Sequence, residues 1–189
     1  MFRSVLAAVA LTLSAPVAMA GPAAEAIVET ASEKLSEGTF ERSDLMRIVD
    51  TQRIARFALG GHARRIPAED LERFEVAFEG FLAHTFEQNR HRFDGASVTV
   101  IGSSDRNDRD SVVETRVKLP GKDSQTVRWR VIERGGQWRI VDVQVAGLWL
   151  AIEERAQIDA VLDRRGASIE TVLAALRKGS GSAPARGAL

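Results

Sequence analysis

The hydrophobic periodicity of this chain changes twice, and the two changes limit the folds it can adopt. Up to Gly95 apolar residues recur at helical spacing; from Ser97 to Val145 they alternate; after Gly147 the helical spacing returns. A repeat near 3.6 residues hides one stripe of a helix, whereas a repeat of two hides one face of a strand. Helices, then a meander of strands, then helices again make an α+β chain whose sheet is antiparallel. At 189 residues the chain is one domain's worth plus a removable leader.

The leader is the first 20 residues. Arg3 supplies a short basic start, Val5 to Leu13 an apolar stretch, Pro16 a helix breaker, and Ala18-Met19-Ala20 small residues before a cleavage site after Ala20. The apolar stretch is too short to span a bilayer, which takes roughly 20 residues, and no other stretch comes closer. There are 0 cysteines, so disulfides, thiolate metal sites and amino-terminal lipidation are excluded. Cleavage removes Arg3 alone from 26 basic residues set against 26 acidic ones, so the mature chain is close to neutral. With the charges well mixed, no basic face is available for nucleic acid.

Gly21 to Gly38 reads as a first helix. Two short helices follow, one capped by Ser43, the next by Asp50 or Thr51 and stopped at Gly60-Gly61. Pro67 opens a long helix whose first turn carries Glu69 and Asp70, charges suited to the positive end of the helix dipole. Leu71, Phe74, Phe78, Phe81, Leu82, Thr85 and Asn89 form its stripe, and Phe93-Asp94-Gly95 ends it. Strands are expected near Ser97 to Gly102, Ser111 to Leu119, Gln125 to Arg134 and Gln137 to Val145, with a polar loop from Ser103 to Asp110.

Gly135-Gly136 fits a two-residue hairpin turn that pairs Arg134 with Gln137. An unbroken register then sets Val131 opposite Ile140, Trp129 opposite Asp142, and Glu133 opposite Trp138 on one side. Arg128, Arg130 and Ile132 fall on the other, with Val143, Val141 and Arg139 as their partners. The long helix is expected to cover the apolar face, continued by Val113, Thr115 and Val117. A helix from Leu148 to Leu162 ends at Arg164-Arg165-Gly166, Ser168 caps a last one to Lys178, and Gly179 to Leu189 reads as a disordered tail.

Catalytic constellations are sparse. His62, His84 and His91 are the only histidines, and no carboxylate at ligand spacing joins His84 and His91 into a metal site. Neither a Gly-rich phosphate loop nor a serine-hydrolase elbow is present. Asp142 is the one candidate for a buried general base, as in a small-molecule isomerase or dehydratase. The competing reading makes it a helix cap or an ion-pair mate of Arg155.

Several elements in order resemble the MlaC family, also called toluene-tolerance proteins. They are Ile54-Ala55-Arg56-Phe57-Ala58-Leu59-Gly60, the Phe74, Phe78, Phe81 helix, Phe93-Asp94-Gly95, Trp138, Asp142, Gly147 and Arg155. The resemblance implies a periplasmic carrier, not an enzyme, that holds a phospholipid's acyl chains inside an NTF2-like cone, a four-stranded curved sheet wrapped by helices around an apolar cavity. It also implies shuttling of lipid between an inner-membrane ABC transporter complex and an outer-membrane lipoprotein, which maintains outer-membrane asymmetry. No cofactor or metal is implied, and a monomer is expected.

On that reading the cavity wall is drawn from Phe74, Phe78, Phe81 and Leu82 of the long helix and Val113, Thr115, Val117, Trp129, Val131, Trp138 and Ile140 of the sheet. Leu148, Trp149 and Ile152 complete it, and Arg64, Arg65, Arg128 and Arg130 are the cations for a head-group rim. The chain departs from the family at Ala63, where an aromatic residue is usual, at Trp149, where a small hydroxyl residue is usual, and in having no tyrosine. Another lipid, such as a hopanoid, therefore stands as an alternative cargo, and the isomerase or dehydratase as an alternative function.

Overall fold

The computed structural model describes residues 20–179. The expected leader and tail lie outside the described residues, apart from Ala20 and Gly179 at the outer ends of the first and last helices. In chain order, α1 (Ala20–Ser36), α2 (Arg42–Ile48), α3 (Thr51–Leu59) and α4 (Ala68–Asn89) precede the sheet. Its strands are β1 (Ser97–Asn107), β2 (Asp110–Lys118), β3 (Gln125–Arg134), β4 (Gln137–Val145) and β5 (Leu148–Trp149); α5 (Leu150–Leu162) and α6 (Ile169–Gly179) follow. Short 3-10 turns, Gly60–Arg64 and Arg90–Phe93, close α3 and α4.

The sheet is antiparallel and open, with strands in chain order, so the fold is α+β as expected, but with five strands in place of four. The extra strand arises because Ala146 and Gly147 both take positive φ, 50° and 83°, and form a two-residue turn that folds Leu148 back onto Val145. A hairpin turn of this kind favours Gly or Asn, so an alanine there gave little warning. The expected Ser103 to Asp110 loop is likewise largely strand, because β1 runs on to Asn107.

Capping chemistry fixes the helix starts. Asp50 caps α3 by accepting from the Arg53 amide at 3.0 Å. α2 begins one residue before the expected cap Ser43, with Glu41 at its N-cap and Asp44 accepting from the Glu41 amide at 3.1 Å.

The hairpin register is as expected from Arg134 to Val131, opposite Gln137 to Ile140. A bulge between Arg130 and Val131 then shifts the pairing, so Arg130 faces Asp142, Trp129 faces Val143 and Arg128 faces Gln144. The extra residue in β4 reverses which side its later residues present. As a result Val143 and Val145 join Trp129 on the inner face, and Asp142 moves to the outer one.

The long helix does not cover this sheet. α1 does, laying Ala24, Val28 and Ala31 against Val113, Val131 and Ile140; two alanines on that stripe let the helix approach closely. α4 packs mainly on α3 and α6, where Phe74 and Phe78 are fully buried with Leu59, Ile158 and Leu173. Burying each phenylalanine stabilises the fold by about 1.5–3 kcal/mol.

Candidate functional site

The buried residues fall into separate clusters, and the boundary between two of them is the feature a binding site can use. One cluster joins α3, α4, α5 and α6; a second joins α1 and α2 to the sheet; a third, smaller one surrounds Val117, Val127 and Val145. α4 crosses from the first to the second within one turn. Leu82 packs against the helical cluster, whereas Phe86 packs against the sheet cluster and meets Phe40 edge-on at 5.2 Å. Leu82 and Phe86, on either side of this seam, are only half-buried, and so are Trp129, Trp138 and Val143 of the sheet cluster.

The expected wall residues divide among these clusters and do not converge on one chamber. Phe74, Phe78, Phe81 and Leu82 belong to the helical cluster; Val113, Val131, Ile140, Trp129 and Trp138 to the sheet cluster; Val117 to the third, which Trp129 also touches. Thr115 is buried among them with its hydroxyl satisfied, donating to the Val127 carbonyl at 3.2 Å and accepting from Trp129 Nε1 at 2.9 Å. Leu148 and Ile152 are 55% and 51% exposed and belong to none of the three clusters.

Trp149 instead lines a groove of about 510 Å³ on the outer face of the sheet, opposite Ile101, above Glu114, Arg128 and Gln144. It is the only member of the expected wall that lines this groove.

The expected rim cations are also placed otherwise. Arg128 lies on the outer face, donating through Nε to Glu114 at 2.8 Å and through Nη1 to Gln144 at 3.3 Å. Arg130 holds Asp110 with two hydrogen bonds, Nε at 3.2 Å and Nη2 at 2.8 Å, and that carboxylate raises the arginine pKa further. Arg64 and Arg65 are exposed at the end of the 3-10 turn after α3. None of the four projects into the seam as part of a buried cluster.

Asp142 is a cap. Its Oδ1 accepts from its neighbour Val143 N at 2.8 Å and from Ala151 N at 3.0 Å, tying β4 to the first turn of α5. Burial pushes its pKa up, against the lowering effect of those two amides and of Arg130. Arg155 is not its mate: the guanidinium stacks over Phe57 at 5.8 Å and pairs with Asp159 at 3.5 Å. His62 Nε2 approaches the same Asp159 at 3.4 Å. Among the described residues no group of three or more His, Asp or Glu could hold a metal ion.

Two residues that matter were not visible as such in the sequence. Phe86 stands four residues beyond Leu82 on the α4 stripe, a spacing that could have found it. Glu154 shares the inward stripe of α5 with buried Ala151 and Ile158, and burial alone raises its pKa. A charged residue at a core position of the helical repeat was its signal.

Residues 31–178 match the MlaC protein family. The chain belongs to the MlaC family. No curated protein matches it. Among solved structures, the MlaC-family chain is similar to that of the phospholipid-binding protein from Ralstonia solanacearum in complex with a phospholipid. The TM-score is 0.70 at 18% identity, covering 87% of this chain and 98% of that one. At that identity the likeness is one of fold, and it extends the α+β assignment of this MlaC-family chain to the order of its helices and strands.

Proposed function

We propose that this protein is a phospholipid carrier that takes acyl chains into the seam between its helical cluster and its sheet. The observation that carries the reading is family membership over residues 31–178, together with a fold shared with a protein solved holding a phospholipid. The seam supports it, because separate apolar clusters joined through half-buried side chains can part without breaking either one. Entering hydrocarbon would part the two clusters where α4 passes between them, at Leu82 and Phe86. Closed until then, the seam exposes less apolar surface to water than a rigid open cavity would.

The role follows from transfer energetics. A lipid with roughly 30 methylenes at about 0.8 kcal/mol each faces a barrier on the order of 20 kcal/mol in crossing water unshielded. A protein that encloses the tails removes most of it. We therefore place the protein in the periplasm after removal of its leader, moving lipid between an inner-membrane ABC transporter complex and the outer membrane, by binding and not by catalysis. Asp142, the candidate base of the enzyme reading, already spends Oδ1 on two backbone amides.

Native mass spectrometry of protein purified from the periplasm tests this. A co-purifying phospholipid is expected, with Leu82→Gln and Trp129→Gln losing it while remaining folded. An empty protein, with turnover of a small substrate that disappears in Asp142→Asn, would overturn the carrier reading. A co-purifying sterol-like mass would keep carriage and change the cargo.

A further inference from the structure

We propose that acyl chains enter and leave through the cleft at the carboxyl end of α4, and that Arg90 and Asp94 on its rim hold the two charges of a zwitterionic head group, that of an amine-bearing phospholipid. The inference rests on the carrier reading and adds to it the mouth of the pocket and the class of head group it accepts.

Leu35, Phe40, Phe86, Arg90, Phe93 and Asp94, with Gly38, line this one cleft. Its apolar members are continuous with the interior. Leu35, Phe40 and Phe86 belong to the sheet cluster, and Phe93 to the third cluster, which shares Trp129 and Val143 with it. Phe86 is also where α4, having packed Leu82 against the helical cluster, reaches the sheet cluster, so the cleft is the outer end of the seam. At about 10 Å³ it has room for about one water, and it is therefore shut. What shuts it is the edge-on pair of Phe40 and Phe86, with ring centres 5.2 Å apart. Phe40 is only 5% exposed, whereas Phe86 is half-buried in the last turn of α4, so Phe86 is the ring free to swing. Its departure costs one aromatic contact and leaves both clusters otherwise packed.

The charges on the rim say what stays outside. Arg90 begins the 3-10 turn Arg90–Phe93, and Arg90, His91 and Arg92 are all basic and all exposed. The negative end of the α4 dipole favours cations at this turn. Arg90 has one loose ion pair, Nη1 to Glu87 Oε2 at 3.6 Å, which leaves N–H groups for an incoming phosphate. Asp94 is exposed on the same rim and has no ion pair among the described residues, with Arg90 or any other cation. A cation and an anion that border one apolar opening without neutralising each other are complementary to a dipolar ligand. An amine-bearing phospholipid has that arrangement at the top of its tails: its phosphate meets Arg90 while its ammonium donates to the Asp94 carboxylate. A purely anionic head group would satisfy Arg90 and meet Asp94 as a like charge.

The test uses the mature protein, stripped of lipid and incubated with vesicles of equal phosphatidylethanolamine and phosphatidylglycerol, with native mass spectrometry reading which lipid is loaded. Wild type should prefer phosphatidylethanolamine. Asp94→Asn should lose about threefold of that preference, and Arg90→Gln should lower the loading of both lipids about threefold, the size of an exposed charge contact. A photoreactive p-benzoylphenylalanine in place of Phe93 should cross-link to the loaded lipid, and the same group in place of Phe57, exposed on α3, should not. Melting curves of the variants confirm that they fold.

Equal uptake of the two lipids by wild type, an unchanged preference in Asp94→Asn, unchanged loading in Arg90→Gln, or loaded protein that gives no cross-link from position 93 would each overturn the mouth and leave carriage standing. Wild-type protein that takes up no lipid at all would overturn carriage, and the mouth with it.

Discussion

The guanidinium of Arg155 lies against the backbone of Gly60 so closely that a β-carbon on residue 60 would stand 2.8 Å from Nε and 2.9 Å from Cζ. Gly60 also takes φ +57° with ψ −131°, a combination that residues with a side chain avoid. The contact joins the end of α3 to the middle of α5, and it explains why two residues 95 positions apart in the sequence numbering belong to one arrangement. Gly60→Ala should therefore destabilise the protein by about 1–3 kcal/mol. Urea unfolding checks this; an unchanged midpoint would mean that Arg155 simply swings away and the backbone relaxes.

Asp142 distinguishes capping from catalysis. Asp142→Asn keeps a carbonyl oxygen to accept from Val143 and Ala151 and should leave stability nearly unchanged. Asp142→Ala leaves the Ala151 amide without its partner and should cost about 0.5–2 kcal/mol. Thermal melts of both variants, with lipid content measured in parallel, give the comparison. Equal losses in the two would show that the charge, not the cap, is what matters.

Glu154 makes a pH-dependent contribution whose sign is fixed by its raised pKa. The folded state holds the proton to higher pH than the unfolded chain, so stability falls as pH rises from the unfolded value near 4.5 through the folded one, and stays lowered above it. Glu154→Gln removes that penalty. The variant should be more stable than wild type at pH 7, with the gap closing near pH 4, as read by denaturant midpoints at the two pH values.

Asp44 acts in the opposite sense. It is buried where α1 meets α2, with Lys34 Nζ at 2.7 Å and Arg47 as its partners, and the Lys34 hydrogen bond, followed by that from the Glu41 amide, holds its pKa down. Its stabilisation is present above the unfolded value near 3.8 and is lost as pH falls through the lower folded value. Asp44→Asn should lower the melting temperature at pH 7 and have progressively less effect below pH 4. Amide exchange in α1 should rise in the variant, because α1 is the helix that covers the sheet.

How far the sequence could be read depended on how local the governing interaction was. Asp50 capping α3 and Gly135-Gly136 turning the β3–β4 hairpin are decided by neighbours a few residues apart, and both stand where the sequence put them. The pairing beyond Val131 is not legible in the sequence, because a single bulge reverses the faces and no local signal marks it. The direction of Trp149 is hidden for a related reason: with Ala146 in a left-handed conformation, a strand of two residues intervenes before α5 begins and turns the indole outward.

The sequence by itself determined the α+β class, the order of its elements and its family, since periodicity and short motifs are carried along the chain. Only the tertiary structure decided that α1, and not the phenylalanine-rich α4, lies on the sheet, and that α4 passes from one apolar cluster to the other between Leu82 and Phe86. The physical reason is that an apolar stripe specifies only that it must be buried. Which of several apolar faces it meets is settled by shape, as when the alanines of α1 fit closely against Val113 and Val131 while the rings of α4 require the space among α3, α5 and α6.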